Sequence, residues 1–171
     1  MKLIVLYGPE NSGKTTTLEI VYERLKRISI PRATNMFWSL DGIQRDFIDV
    51  LDIDKTRLGK EGYNSPEHDY KANPEVVSVG IVTQGDYVTG TKTIRIHLDR
   101  KLQEKCDIVV CACSDKGNKE TNPIDQICEF VTNNNDKVFK EPNICIKNQS
   151  EEKDKADEIM QKIGELCNNN N

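Results

Sequence analysis

The sequence predicts a three-layer α/β domain built around a mostly parallel sheet. Three observations carry that expectation. Continuous apolar runs at 3–7, 76–82 and 108–113 read as strands buried on both faces. Other stretches carry apolar residues three and four apart, the period of an amphipathic helix. The two kinds of segment largely alternate, which is the pattern of parallel strands joined by helical crossovers.

Taken in order, Leu3-Ile4-Val5-Leu6-Tyr7 is a strand ended by Gly8-Pro9. Leu18, Val21, Leu25 and Ile28 then form one apolar stripe on a helix, which Pro31 closes. Phe47 to Ile53 alternates in part and reads as a short strand near an edge. Pairing of 46–53 with 76–82 as an antiparallel hairpin is one arrangement open to it. Residues 54–75 are polar and rich in turn formers, a connection long enough to suggest a lid or substrate loop. Ile94, Leu98 and Leu102 repeat at four, with basic residues toward the C-terminal end, where the helix dipole favours them. Asn122-Pro123 opens a further helix with a cap followed by proline at its first position. Asn143 to Lys147 is a short last strand, and a final helix follows with Ala156, Ile159, Met160, Ile163 and Leu166 on its apolar face. The 171 residues fit one domain over 1–167, followed by a disordered asparagine tail at 168–171.

Composition narrows the partners. A net charge of −4, without a basic stripe interleaved with aromatics, gives no support for nucleic acid or an anionic membrane. The apolar run at the N-terminus is too short for a signal peptide or a membrane span, so a cytoplasmic protein is expected. The six cysteines include no CxxC pair. Cys111 and Cys113 sit two apart in an apolar run, where thiols pack as small hydrophobes on one side of a strand.

Gly8-Pro9-Glu10-Asn11-Ser12-Gly13-Lys14-Thr15 matches GxxxxGK[ST] at every required position. It follows a buried strand and opens an amphipathic helix, which is the context that pattern needs. The glycines permit backbone conformations and close approach that a Cβ obstructs. Successive N–H groups turned inward form a concave anion nest, and the helix behind adds roughly half a positive charge. Lys14 supplies a full charge for β- and γ-phosphates, Thr15 offers a hydroxyl to Mg²⁺, and Thr16 falls near the α-phosphate.

With these residues the chain resembles the P-loop NTPase superfamily, and its short layout looks like the nucleoside and nucleotide kinase-like branch. The resemblance implies a three-layer P-loop fold, ATP and Mg²⁺ as ligands, and a second strand ending in an acidic residue that helps hold the metal. Asp86 is the nearest candidate for that acid, with a catalytic and metal-holding role beside Lys14. Its plain reading is a turn aspartate next to Gly85. Thr83 or Gln84 could take the metal-facing place instead, and Asp41 and Asp52 are further alternatives. The string Asn118-Lys119-Glu120-Thr121 lacks the aspartate of the NKxD motif of GTPases, which leaves ATP as the default nucleotide.

The expected activity is Mg²⁺-dependent phosphoryl transfer from ATP to a small molecule or nucleotide. An ATPase or nucleotide-dependent switch, or a binding module acting through a protein partner, is the alternative. Nucleotide kinases usually carry an arginine-bearing lid. Here Ser114 to Lys119 supplies lysines only; Arg95 and Arg100 lie on the helix after Asp86 and could face the site, with solvated helix charges as the plain reading. Trp38, Tyr63, His68 and Tyr70 are candidates to line an acceptor pocket, with packing or loop positions as the plain alternative.

Overall fold

The computed structural model describes residues 1–30, 38–41, 44–58, 75–83, 93–114, 122–135, 138, 143–146 and 152–168. Strand β1 (Lys2–Gly8) leads through the glycine loop into helix α1 (Lys14–Ile28). Strands β2 (Ser29–Ile30), β3 (Trp38–Asp41), β4 (Gln44–Asp54) and β5 (Val76–Val82) come next, with a 3-10 turn at Lys55–Arg57 after β4. Then α2 (Ile94–Gln103), β6 (Ile108–Ser114), α3 (Pro123–Asn133), β7 (Asn143–Ile146) and α4 (Glu152–Asn168) complete the described elements.

The strands form one sheet in the order β2-β4-β5-β6-β1-β7, with β3 also pairing β4. One half is parallel: β5 with β6, β6 with β1, and β1 with β7. The other half is antiparallel, because β4 runs against β2, β3 and β5. This corrects the expected mostly parallel three-layer P-loop NTPase fold, since neither this strand order nor the antiparallel half fits it. The physical reason lies between Ile30 and Val76. A parallel neighbour needs a crossover, usually a helix, whereas antiparallel neighbours need only a hairpin-type connection. The backbone N–H of Lys55 donates to the carbonyl of Glu75 (2.9 Å), so the connection from β4 to β5 returns to where it left.

Alternation then fixes the two cores. Ile4 and Leu6 of β1 pack with Leu18, Val21 and Leu25 of α1 and with Ile159 and Ile163 of α4. Leu3 and Val5 pack with Leu98 of α2 and with Ile127 and Phe130 of α3 on the opposite side. Every residue of β6 is buried, as a central strand covered on both faces requires. Cys111 and Cys113 join the α2–α3 side, and burial pushes the Cys111 thiol well above its usual value, which keeps it an unreactive packing group. Cys106, Cys111, Cys113, Cys128 and Cys167 are free thiols.

Several boundaries move. Strand β4 is longer than expected and paired along both sides rather than lying at an edge. The predicted loop at 54–75 begins later, because Asp54 ends β4 and caps the 3-10 turn through its bond from the Thr56 N–H (2.9 Å). Residues 59–74 of that loop lie outside the described residues. Asn168 belongs to α4 rather than to the tail, whose other residues, 169–171, also lie outside the described residues. Asn122 caps α3 by accepting from the Ile124 N–H (3.1 Å), with Pro123 at its first position. Among the described residues no helix is long and apolar enough to cross a membrane.

Candidate functional site

The parallel half of the sheet points the C-terminal ends of β1, β5 and β6 the same way, with Gly8 paired to Ser114 and Val82 to Cys111. Because β4 is antiparallel, its N-terminal end lies at that same edge, where Ile48 pairs with Val82. The glycine loop leaves β1 there.

The loop is built around two left-handed residues. Asn11 has φ 57° and Gly13, the residue before α1, has φ 82°. A tight turn precedes them, in which the Ser12 N–H donates to the Pro9 carbonyl (3.3 Å). Gly13 satisfies a second demand as well. A Cβ there would run into the carboxylate of Glu152, which opens α4. Gly13 offers α1 no capping side chain and no acidic residue lies in the first turn, so the acidic group described beside the helix start is the Glu152 carboxylate of α4.

Lys14 is buried, and its ammonium turns back onto the loop, donating to the carbonyls of Gly8 (3.0 Å) and Pro9 (2.7 Å). A full positive charge is thus fixed inside the curve of the loop. The hydroxyl oxygen of Ser12 is buried without a hydrogen-bond partner in the described protein. Pro9, Glu10 and Asn11 are exposed at the rim, and Thr16 is exposed on the first turn of α1. A buried cation and the start of a helix meet at this loop, a combination that suits an anion.

Thr15 differs from the expected arrangement. Its Oγ1 lies 3.4 Å from Oδ1 of Asp46, on β4. Two contacts fix the start of β4 there. Phe47 donates its N–H to Thr83 Oγ1 (2.7 Å), while its carbonyl accepts from the Thr83 N–H and hydroxyl (both 3.1 Å). One helical step further in, the Phe47 ring packs on Tyr22 of α1, with centroids 4.9 Å apart. The Tyr22 hydroxyl donates to the buried carboxylate of Asp49 (2.9 Å), whose other oxygen accepts from the Val50 N–H. Thr15 and Tyr22, two turns apart on α1, thus face Asp46 and Asp49 on β4.

Burial, reinforced by the Asp49 carboxylate, pushes the Tyr22 hydroxyl well above its usual pKa. A tyrosine in the unfolded chain ionises near 10. The contribution of the bond from the neutral Tyr22 hydroxyl to Asp49 is therefore complete below about pH 10 and is lost as pH rises through the higher folded value. Tyr22→Phe should lower stability at pH 8 by about 1–3 kcal/mol, the cost of a buried acceptor losing its donor. That gap should narrow in urea unfolding between about pH 10 and 11.

The sequence-derived acids fare differently. Asp86 and Gln84 lie outside the described residues. Thr83 is committed to Phe47 and so serves the junction of β4 and β5. Asp52 sits toward the other end of β4, accepting from the Ser78 hydroxyl (2.5 Å). Asp41 is placed by its backbone opposite Gln44 in the β3–β4 pair. Arg95 is exposed and bonds Glu129 of α3 (3.1 Å), and Arg100 is exposed on α2. Of the acceptor-pocket candidates, Trp38 opens β3, while Tyr63, His68 and Tyr70 lie outside the described residues.

Asp46 and Glu152 are the residues near the loop that sequence reasoning missed. Asp46 carried one signal, a carboxylate placed directly before the apolar run at 47–53. Among the described residues no three His, Cys, Asp or Glu side chains gather as a metal cluster. A Mg²⁺ ion that rides on phosphates needs only one or two protein oxygens, and the Thr15–Asp46 pair supplies that chemistry. Compared with protein-family models, curated proteins and solved structures, the chain matches none of them.

Proposed function

We propose that this chain binds a magnesium–nucleoside triphosphate, ATP in the first instance, in the cradle formed by Gly8 to Thr16, and uses it as a kinase-like phosphotransferase. The observation that carries the reading is the buried Lys14 ammonium held at the Gly8 and Pro9 carbonyls, beside a left-handed Gly13 and an uncapped helix start. That combination concentrates positive potential on one concave turn, and a triphosphate is the ligand whose charge matches it.

In this reading the loop N–H groups hold the β-phosphate and Lys14 spans toward the γ-phosphate, releasing one carbonyl to do so. Thr15 presents its hydroxyl to the metal. Bound Mg²⁺ supplies neutralisation of the phosphate oxygens during transfer. The acceptor is a small molecule or a nucleotide, approaching over the shared sheet edge where β4 begins. We place the protein in the cytoplasm, where ATP is abundant and where free thiols such as those of the five described cysteines persist.

A second reading, an ATPase or nucleotide-dependent switch, draws on one observation. Two described arginines, Arg24 and Arg95, are engaged by Asp157 (2.5 Å) and Glu129 (3.1 Å) on helix surfaces. With these two held on helix surfaces, fewer arginines are left to stabilise a transferring phosphoryl group, which favours slow turnover. The deciding experiment is ATP turnover with Mg²⁺, run with and without a panel of nucleosides, nucleotides and small phosphate acceptors. Phosphorylated acceptor supports the kinase. ATP loss without acceptor supports the switch. No binding of ATP at millimolar concentration removes both.

A further inference from the structure

We infer that Asp46, on the antiparallel strand β4, is the acidic residue of this site: it orients the Thr15 hydroxyl and shares the divalent cation that accompanies the nucleotide. The inference rests on the nucleotide-binding reading above and assigns its metal side.

Four observations carry it. The first is contact, since Asp46 Oδ1 lies 3.4 Å from Thr15 Oγ1. Two adjacent oxygens on one octahedral Mg²⁺, each at about 2.1 Å, lie about 3 Å apart, so a small side-chain adjustment brings this pair to a shared ion. The second is placement. Asp46 enters the sheet at the edge where β1 and β5 end, because β4 alone runs the other way beside them. A parallel strand in that place would have brought its C-terminal residue there instead. The third is rigidity. The next residue, Phe47, is held at both backbone groups by Thr83 and at its ring by Tyr22. The fourth is separation of roles. Asp49 is occupied by Tyr22 and Val50, and Asp52 by Ser78, so along β4 these two carboxylates already have structural duties.

The positioning is specific about chemistry. A carboxylate next to a phosphate cradle repels the ligand unless a cation lies between them. Asp46 therefore discriminates in favour of the metal-bound triphosphate and against the free one. The quantity it controls is the ratio of affinities with and without metal, rather than either affinity alone.

The test measures binding of the non-hydrolysable imido analogue of ATP by titration calorimetry, in Mg²⁺ and in EDTA, for the wild type, Lys14→Ala, Asp46→Asn and Thr15→Val. Wild type should gain at least about tenfold in affinity from Mg²⁺. Asp46→Asn should reduce that gain to about twofold or less, and adding Thr15→Val to it should lower the gain no further, because the two act on one ion. A purely structural role for Asp46 would weaken both affinities alike and leave the ratio at the wild-type value, which overturns the inference. So would an undiminished gain in Asp46→Asn. If Asp46→Asn does not fold, judged by its melting transition, Asp46→Ser carries the same comparison. Failure of the underlying reading is separate: wild type would then bind the analogue no better than Lys14→Ala under either condition.

Discussion

Lys14→Ala is expected to abolish measurable nucleotide binding while leaving the protein folded. The ammonium makes two bonds, to the carbonyls of Gly8 and Pro9, which hold its charge inside the loop. Charge-assisted bonds contribute about 1.5–3 kcal/mol each, so losing their equivalents to phosphate lowers affinity by about a hundredfold or more. The stability change should be smaller, about 1–2 kcal/mol, because Pro9 is exposed and water can take over its carbonyl. Calorimetric titration with ATP and a thermal melt measure the two effects independently. Full ATP affinity in Lys14→Ala would sink the phosphate-cradle reading.

The second large effect belongs to Gly13. Its φ of 82° is a conformation that an L side chain adopts at a cost of about 1–2 kcal/mol. A Cβ would also meet the Glu152 carboxylate. Gly13→Ala should therefore destabilise the protein and flatten the loop, with loss of ATP binding. The two causes separate in a double variant. Removing the Glu152 side chain in Gly13→Ala/Glu152→Ala relieves the collision but not the backbone strain, so stability should recover in part and binding should not. Full recovery of both would show that the collision alone makes glycine necessary.

The parts of the molecule that the sequence made legible are those coded locally. The run 3–7, the glycine loop and the stripe Leu18-Val21-Leu25-Ile28 are each a single period in a single window, and they correspond to β1, the turn and α1. Asn122-Pro123 announced α3 in the same way. What the alternation of residues along β4 does not encode is direction, since both orientations of a strand show the same faces to the same cores. Strand and helix order therefore left the antiparallel pairing of 46–53 with 76–82, which β4 and β5 adopt, as one arrangement among others, and it did not reveal the pairing of β4 with β2 and β3. Strands β2 and β3, two and four residues long, are too short for a period to register. Asp46 was missed for a different reason. Its partner Thr15 stands 31 positions away, and only the fold makes them neighbours.

The position of β1 has a consequence for how the chain acquires its structure. Both of its neighbours, β6 and β7, follow it by roughly a hundred residues or more: Lys2 aligns with Ile108, and Ile4 with Asn143. Pairing at such sequence distance has a high contact order, and the loop-closure entropy must be met before any ladder bond forms. On the ribosome, Leu3 to Leu6 therefore emerge as an unpaired apolar strand, and α1 can shelter only the face that carries Ile4 and Leu6. Leu3 and Val5 wait for α2 and α3. Closing the sheet around β1 therefore waits for β6 and β7, and the glycine loop that leaves β1 is framed on both sides only once those later strands are in place.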